Sequence, residues 1–383
     1  MEHKIAFIGF GTVGQGLAEI LHKKRDYLKE KYDFDFTVVA VSDPIKGSIC
    51  NPDGLDIPKL LELAKSNRIG EYPEGESGWN SLQTIEASTA NIIVEATPTN
   101  LNTGEPGLTH IRAAIAAGKH IATTNKGPFV VAGKDLIASA KERGVILRYE
   151  GTVLSGTPSL SLTLEALQGI QISCIRGIVN GTTNFILTLM EQGKSYDEAL
   201  KEAQRLGYAE ANPAADVEGW DAAAKAIILA NLVMDGDTHL RDIEREGITH
   251  LTLDDIMEAK SEGKRWKLIA HIEKKRGRIR ARVKPEKLPL DDPLAQIMGV
   301  TNALTISTDD LGDITIIGPG AGRRETGFAL LADILAIHRV LAISKASEPT
   351  PPEEGPSEGE EESPEEPAEE TPEEGLNEYE DIL

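Results

Sequence analysis

The chain has 383 residues, which is enough for two or three domains. Its formal net charge is −22, but residues 347–383 hold 16 acidic and no basic side chains, so removing those 16 charges leaves −6 for the rest. The two cysteines, Cys50 and Cys174, lie far apart in sequence and exclude a disulfide scaffold and a cysteine-rich zinc site. A mildly acidic body without basic runs argues against nucleic acid as a partner.

The two ends of the chain differ in composition. The N-terminus passes directly into an apolar, strand-like segment at 4–8 without a secretory signal, and no run of 18 apolar residues predicts a membrane span. Together with the free thiols, this predicts a cytoplasmic protein. The tail at 346–383 is rich in Glu and Pro and too poor in apolar residues to fold, which predicts disorder. A docking peptide is the alternative for its last residues, which include Tyr379, Ile382 and Leu383.

Strands and helices alternate in the first 150 residues, which is typical of a parallel sheet with right-handed crossovers. We predict strands at 4–10, 36–41, 91–96, 120–124 and 145–149, and helices at 12–32, 109–117 and 133–143. From about Gly151 the pattern changes to an α+β arrangement with partly antiparallel strands. The elements predicted there are helices at 184–192, 196–206 and 219–234, strands at 267–274, 278–284, 303–308 and 313–317, and a last helix at 325–340.

A glycine-rich motif, G-x-G-x-x-G, follows the first predicted strand and opens the first predicted helix. Gly9 permits the tight turn, Gly11 lets the backbone approach a pyrophosphate, and Gly14 allows close packing of helix and strand. The helix start, with Thr12 and Val13, offers free N–H groups and a partial positive charge to phosphates. This context predicts a dinucleotide cofactor, and a nicotinamide cofactor would imply hydride transfer.

Two further segments bear on the cofactor. Asp43 ends the second predicted strand, where a carboxylate would bind the ribose hydroxyls of NAD and repel the 2′-phosphate of NADP. Lys46 lies nearby and would soften that repulsion, and Asp43 as a simple loop cap is the alternative. The cluster Gly318–Gly322 is either a tight turn before the last helix or a loop that returns to the cofactor.

Two lysines are the acid–base candidates. Lys126 follows a predicted strand at its carboxyl end, the edge of an open sheet where ligands bind. Lys225 and Asp221 lie at i and i+4 on an apolar, largely buried helix, where a lysine needs a partner and its pKa shifts readily. Upstream, Glu210 and Asp216 add carboxylates that suit an ammonium group of the substrate. An isolated surface lysine and a surface ion pair are the alternatives.

These motifs, taken in order, resemble homoserine dehydrogenase over roughly residues 3–342. The resemblance rests on 9–14, 123–126, 180–184, 206–210, Asp216 and 219–225. It implies interconversion of L-homoserine and L-aspartate 4-semialdehyde with NAD or NADP, in the pathway to threonine and methionine. It also implies a homodimer joined through the middle section.

The resemblance implies the following roles. Lys126 and Lys225 flank the reacting oxygen, Glu210 and Asp221 hold the substrate amino group, and the pocket is completed by Asp216, Gly181, Thr182 and Tyr208. The residues expected at the cofactor are Gly9, Gly11, Thr12, Val13, Gly14, Asp43, Thr97, Lys126, Gly207, Gly320 and Gly322.

The family also binds a monovalent cation, Na⁺ or K⁺, in the segment 150–158. By position, oxygens of Glu150, Val153, Ser155 and Thr157 would hold it, mostly backbone carbonyls. Leu154 stands where the family usually has a small residue, and a plain loop is the alternative.

The expected fold class is therefore α/β. It comprises a Rossmann-type dinucleotide-binding domain at 1–150, completed by about 318–345, a catalytic and dimerisation α+β domain at 151–317, and the disordered acidic tail. A C-terminal regulatory domain and a preceding kinase domain are not expected.

Two rival functions remain. An aspartate-semialdehyde dehydrogenase would need an activated cysteine, and neither Cys50, in an apparent loop, nor Cys174, in a predicted strand, fits that pattern. A nucleotide-binding sensor without chemistry would not need Lys126, Glu210, Asp221 and Lys225 together.

Overall fold

The computed structural model describes residues 2–346. The predicted acidic tail lies outside these residues except for Ala346, the last residue of the last helix. The same holds for Tyr379, Ile382 and Leu383.

A seven-stranded sheet forms the first part of the structure. Its strands are β1 (Glu2–Ile8), β2 (Asp35–Asp43), β3 (Gly47–Cys50), β4 (Glu76–Ser77), β5 (Ile92–Glu95), β6 (His120–Thr123) and β7 (Leu147–Arg148). The order is β4-β3-β2-β1-β5-β6-β7, with β2, β1, β5, β6 and β7 parallel and β3 and β4 antiparallel at one edge. The chain moves outward from β1 in both directions, so the switch point of this sheet lies between β1 and β5.

The helices of this part are α1 (Thr12–Tyr32), α2 (Ile57–Lys65), α3 (Ser81–Ala87), α4 (Gly107–Ala116) and α5 (Lys126–Glu142), with a 3₁₀ turn at Ile69–Glu71. Helix α1 has the predicted bounds. Helix α5 starts at Lys126 rather than 133, because the Asn125 side chain caps it and non-helical Ala132 interrupts the apolar pattern ahead of Gly133. Strands β3 and β4 and helices α2 and α3 lie in a stretch for which we predicted no elements. Cys50 therefore ends a strand and is not in a loop.

The last helix, α12 (Arg323–Ala346), packs on α1. A Cβ on Gly16 would lie 2.2 Å from the Arg323 carbonyl oxygen, and one on Gly327 would lie 2.7 Å from the Gly16 carbonyl carbon. The two helices thus approach closely through glycines. Among the described residues, α12 alone is long and apolar enough to cross a membrane, and 50% of its most apolar stretch is buried in the fold. A core helix of a folded protein meets the same criteria.

A six-stranded sheet forms the second part. Its strands are β8 (Ile172–Ile178), β9 (Glu244–Arg245), β10 (Lys264–Lys275), β11 (Arg278–Pro289), β12 (Thr301–Thr308) and β13 (Asp313–Pro319), in the order β13-β12-β8-β10-β11-β9. All neighbours are antiparallel except β9, which is parallel to β11. A hairpin joins β10 to β11 through Arg276 and Gly277, both with positive φ.

Helices cover one face of the second sheet. They are α6 (Ser159–Ser161), which continues as a π-helix at Leu162–Ala166, then α7 (Gly181–Glu191), α8 (Tyr196–Arg205), α9 (Ala214–Val217), α10 (Trp220–Leu232) and α11 (Leu253–Ser261). Short 3₁₀ turns lie at Glu150–Thr152 and Pro293–Gln296. Ser195 and Glu198 form a capping box at the start of α8. Helix α10 is buried from Ala222 to Ala230, and one apolar cluster runs from it to both sheets.

Candidate active site

Both candidate lysines meet at one carboxylate. The Lys225 Nζ lies 2.7 Å from Asp221 Oδ2, and the Lys126 Nζ lies 3.5 Å from Asp221 Oδ1. Lys225 also donates to the Val179 carbonyl at 2.6 Å and is only 6% exposed. Lys126 begins α5 directly after β6, and Asp221 and Lys225 lie one turn apart near the start of α10. The first sheet and the second part of the chain thus each supply one lysine.

Asn180 joins this cluster to a third carboxylate. Its Nδ2 donates to Asp216 Oδ1 at 2.7 Å and to Asp221 Oδ2 at 3.0 Å. Its Oδ1 accepts from the backbone N–H and the hydroxyl of Thr183, which caps α7. Because the cap occupies the oxygen, the amide nitrogen must face the two carboxylates.

The two aspartates have opposite electrostatic surroundings. Burial alone would raise the pKa of Asp221, but the charges of Lys225 and Lys126 outweigh it and hold that pKa below its ordinary value. Burial and the neighbouring charge of Asp221 raise the pKa of Asp216, against the hydrogen bond from Asn180. Asp221 is therefore the fixed negative charge between the lysines.

The other predicted substrate residues surround the start of α7. The Thr182 hydroxyl donates to the Tyr208 carbonyl at 2.6 Å, and the Tyr208 ring packs edge-on against Phe185 at 5.0 Å. Gly181 lies against the backbone of Val300, where a Cβ would come within 2.6 Å of the carbonyl oxygen. Glu210 is exposed, and within residues 2–346 its carboxylate has neither a hydrogen-bond nor an ion-pair partner.

The glycine loop after β1 has the geometry a dinucleotide needs. Gly9 has φ +88°, and a Cβ there would lie 2.6 Å from the Ala96 carbonyl oxygen at the end of β5. A Cβ on Gly14 would lie 2.7 Å from the Gly9 oxygen, whereas one on Gly11 would meet nothing within 4 Å. Within residues 2–346, no side chain caps α1. The loop is closed against the protein on two sides and open at Gly11, beside the uncapped start of α1 at Thr12 and Val13.

Asp43 does cap a loop. Its Oδ2 accepts from the Phe10 N–H at 2.8 Å, and its Oδ1 accepts from the N–H groups of Ile45 and Lys46, both at 2.9 Å. The Lys46 side chain is directed to Asn67, 2.9 Å away. Asp43 therefore ties the glycine loop to the end of β2 and retains about one accepting position for a ribose, because a carboxylate accepts about four hydrogen bonds and three are in use.

Thr97 is held by a buried hydrogen-bond network that the sequence did not lead us to predict. Glu95, fully buried at the end of β5, accepts from the Thr97 hydroxyl and backbone N–H and from Thr123 at 3.0 Å. Asn125, the cap of α5, donates to the Thr97 carbonyl at 3.3 Å. This network connects Thr97 with the residue preceding Lys126. The sequence did contain a signal for this network, because a polar residue ends each of two neighbouring parallel strands, Glu95 in β5 and Thr123 in β6.

The loop after β13 is shaped by close contacts. A Cβ on Gly320 would lie 2.2 Å from the Asn302 amide, and one on Gly322 would lie 2.0 Å from the Glu325 carboxylate. Gly207, by contrast, has φ +77° and open space around it at the end of α8. Of the predicted cofactor glycines after Gly14, Gly320 is thus required by packing, whereas Gly207 and Gly322, which has φ +139°, are required by backbone conformation.

The segment predicted to hold a cation is buried and ordered by its own contacts. The Glu150 carboxylate accepts from the backbone N–H groups of Leu160 at 2.9 Å and Ser161 at 2.7 Å. Ser155, with φ +53°, pairs with the Thr326 hydroxyl, and Thr157 donates to the Pro319 carbonyl. Within the described chain, no group of three His, Cys, Asp or Glu side chains is placed to hold a metal ion.

Neither cysteine is activated. Burial raises the pKa of both the Cys50 and the Cys174 thiols above their ordinary value. A nucleophilic thiolate requires the opposite shift. Although Cys174 Sγ lies 3.5 Å from His271 Nε2, the raised thiol pKa values disfavour the thioester chemistry of an aspartate-semialdehyde dehydrogenase.

A Rossmann-type sheet with an open glycine loop, and two lysines on one partly buried carboxylate at its carboxyl edge, define an NAD(P)-dependent oxidoreductase. The model of the homoserine dehydrogenase NAD-binding domain matches residues 9–150, and that of the homoserine dehydrogenase catalytic family matches residues 158–335. The chain belongs to the homoserine dehydrogenase family. It acts on a CH–OH group and interconverts L-homoserine and L-aspartate 4-semialdehyde.

Known relatives agree along nearly the whole described chain. An NAD(+)-dependent homoserine dehydrogenase of Pseudomonas canavaninivorans is 44% identical over 340 residues, covering 88% of this chain and 97% of its own. A homoserine dehydrogenase of Methanocaldococcus jannaschii is 41% identical, covering 87% and 98%.

Solved structures agree as well. The homoserine dehydrogenase of Thiobacillus denitrificans is 30% identical, with a TM-score of 0.78 over 92% of this chain and 76% of its own. A hyperthermophilic archaeal homoserine dehydrogenase in complex with NADPH is 31% identical, with a TM-score of 0.75 over 89% and 98%. The predicted α/β fold class and the predicted activity are both confirmed.

Proposed function

We propose that Lys225 moves the hydroxyl proton and that Lys126 is the second lysine beside the reacting oxygen. The observation that carries this proposal is the convergence of both ammonium groups on Asp221. Asp221 and the Val179 carbonyl engage two of the three N–H groups that a lysine ammonium offers, which leaves one directed elsewhere. A buried, oriented lysine with one free position is suited to proton transfer.

Oxidation of homoserine removes a hydride from the carbon that bears the hydroxyl group and a proton from its oxygen. NAD(P)⁺, when bound, accepts the hydride. Lys225, acting as the base, accepts the proton from the oxygen as the carbonyl forms. In the reverse direction its ammonium returns the proton, and the charge of Lys126 stabilises the negative oxygen on the way.

Substrate binding is assigned to the carboxylates and to the start of α7. Asp221 and Asp216 already share the Asn180 amide, whereas the Glu210 carboxylate has no partner in the described structure. We assign Glu210 as the main anchor of the substrate ammonium group, with Asp221 facing the same group from the lysine side. Gly181, Thr182 and Tyr208 form the wall opposite, because they pack around the α7 start that Asn180 caps.

The cofactor is assigned to the glycine loop, Thr97 and the loop after β13. The Asp43 carboxylate at the end of β2 favours a ribose diol over a 2′-phosphate, so we propose a preference for NAD. The Lys46 ammonium group bonds Asn67 rather than the Asp43 carboxylate. Gly207, Gly320 and Gly322 complete the assigned set.

A monovalent cation is assigned to the backbone carbonyls of Val153, Ser155 and Thr157. The Glu150 carboxylate is engaged by the start of α6, so Glu150 would contribute through its main chain. Hard oxygen donors of this kind suit Na⁺ or K⁺ better than a transition metal. Initial rates with and without each salt test the assignment.

We infer a homodimer formed through the uncovered face of the second sheet. The register places Arg176, His271 and Arg282 side by side on the face opposite the helices. The same face carries Ile317, which is 55% exposed. Sedimentation of the protein and of an Ile317→Asp variant tests this arrangement. We also propose a cytoplasmic location. The proposed domain bounds are 1–150, completed by 318–345, for the cofactor domain and 151–317 for the catalytic domain.

The central test compares two lysine variants with a control. Lys225→Ala should lower kcat by about 100-fold or more while the dissociation constant for NADH, measured by fluorescence, stays within about twofold. Lys225→Arg should not restore kcat, because arginine does not release its proton. Lys134→Ala, an exposed position on α5, is the control. Normal kcat in Lys225→Ala would exclude the proposed role.

A further inference from the structure

Asn302 is a fully buried side chain whose amide is unsatisfied. It is 0% exposed near the start of β12, and within residues 2–346 neither its Oδ1 nor its Nδ2 has a hydrogen-bond partner. Asn184, close by, makes the contrast clear: its amide bonds the Lys267 ammonium and the carbonyls of Ile297 and Thr301. Leaving a buried donor and acceptor unpaired is costly, so the Asn302 amide is expected to have a partner in the working protein.

The position of this amide identifies where the partner must come from. A Cβ on Gly181 would lie 3.3 Å from Asn302 Oδ1, and a Cβ on Gly320 would lie 2.2 Å from its Nδ2 and 2.5 Å from its Oδ1. The amide thus lies between a glycine of the proposed substrate pocket and a glycine of the proposed cofactor loop. A side chain at Gly320 could not fit over it, which leaves only backbone between the amide and the exterior.

We propose that Asn302 binds the carboxamide group of the nicotinamide ring. An asparagine amide offers a donor and an acceptor together, and the primary carboxamide of the cofactor offers the matching acceptor and donor. The substrate's carboxylate only accepts and its ammonium only donates, so either alone would leave half of the amide unpaired, and the substrate's hydroxyl is assigned to the two lysines. The proposal rests on the proposed function, which places nicotinamide and substrate on either side of this point.

The loop that lies over the Asn302 amide is suited to move aside. Residues 320–322 are Gly-Ala-Gly, partly or wholly exposed, in the turn between β13 and α12. Side-chain bonds hold the residues on either side of this turn, from the Thr157 hydroxyl to the Pro319 carbonyl at 3.0 Å and from Arg323 to Glu19 at 2.7 Å, and leave 320–322 between them. Gly320 must move aside as the ring enters, so that the loop closes over the bound carboxamide.

The test separates the nicotinamide end of the cofactor from the rest. Asn302→Ala and Asn302→Ser are compared with wild type for binding of NADH and of ADP-ribose, which lacks the nicotinamide. We expect the dissociation constant for NADH to rise about 10-fold, and that for ADP-ribose to change less than about twofold. Asn231→Ala is the matched control, because its amide bonds only the Thr238 backbone.

A second measurement uses 3-acetylpyridine adenine dinucleotide, whose acetyl group accepts but does not donate a hydrogen bond. Wild type should favour NAD⁺ over this analogue in binding, and the Asn302 variants should lose most of that preference. Equal losses for NADH and ADP-ribose, or an unchanged preference in properly folded variants, would overturn the proposal. If the proposed catalytic roles failed instead, these binding ratios would still report on Asn302, because they do not depend on turnover.

Discussion

The Asn180 amide donates one hydrogen bond to Asp221 and another to Asp216 while its oxygen caps helix α7. One side chain therefore fixes both the start of helix α7 and the orientation of the carboxylate between the two lysines. The same Asp221 carboxylate also binds the Lys225 ammonium group. Because the Asn180 amide is fixed, it prevents the carboxylate from rotating away from Lys126. The structure thus assigns Asn180 a positioning role in addition to a capping role.

The first prediction separates these two roles. Asn180→Ser keeps a good helix cap, because serine also accepts from the backbone at this position, but it cannot reach both aspartates. We expect kcat to fall about 10-fold, from loss of a charge-assisted hydrogen bond, while the melting temperature stays within a few degrees of wild type. Asn180→Ala should lose stability as well. A Ser variant with normal kcat would contradict the positioning role.

The second prediction concerns Glu210. Glu210→Gln keeps the shape and removes the charge that we assign to the substrate ammonium group. KM for homoserine should rise about 10-fold or more, with a smaller change in kcat, because the lost interaction is one of binding. Glu202→Gln, which breaks only a surface pair with Arg205 on α8, is the control. Unchanged kinetics in Glu210→Gln would refute the anchor.

The third prediction concerns cofactor choice. Asp43→Asn removes the charge beside the ribose and also places an amide group against the N–H groups of Phe10, Ile45 and Lys46. We expect kcat/KM with NAD⁺ to fall, and the ratio of kcat/KM for NADP⁺ to that for NAD⁺ to rise about 10-fold. Initial rates with both cofactors measure this ratio. A wild-type enzyme that already favours NADP⁺ would be inconsistent with the assigned role of Asp43.

The fourth prediction concerns stability in acid. His3 is fully buried, bonds His338 of α12 at 2.9 Å, and bonds Asn91 at 3.2 Å. Burial, followed by the repulsion from His338, lowers the pKa of His3 from 6.5 to about 4. The folded protein therefore keeps His3 neutral between pH 6.5 and 4, where the unfolded chain binds a proton.

This difference in proton binding determines how the free energy of unfolding changes with pH. The contribution of His3 is fully present above pH 6.5 and is lost as the pH falls towards 4, so the free energy of unfolding should decrease by up to about 3 kcal/mol over that interval. Urea unfolding at pH 7.5, 6, 5 and 4.5 measures the slope. His3→Gln should flatten it, and an unchanged slope in that variant would assign the effect to other groups.

The features of this protein that depend on residues close together in the chain were determined by the sequence alone. The bounds of α1, the turn at Gly9, the capping box at Ser195 and the pairing of Asp221 with Lys225 each depend on residues a few positions apart. Helical spacing and backbone freedom of glycine fix such features wherever the segment lies. The order of the motifs was also sufficient to predict the family.

Only the tertiary structure brought together residues that are distant in sequence. It places Lys126 on Asp221, Asn180 on Asp216, and Asn302 beneath Gly320. It also shows that Asp43 caps the glycine loop, which sequence reasoning left open between two roles. These contacts arise because two sheets pack against a shared core, and a buried polar group then bonds whichever neighbour the packing presents. No periodicity along the chain encodes that choice.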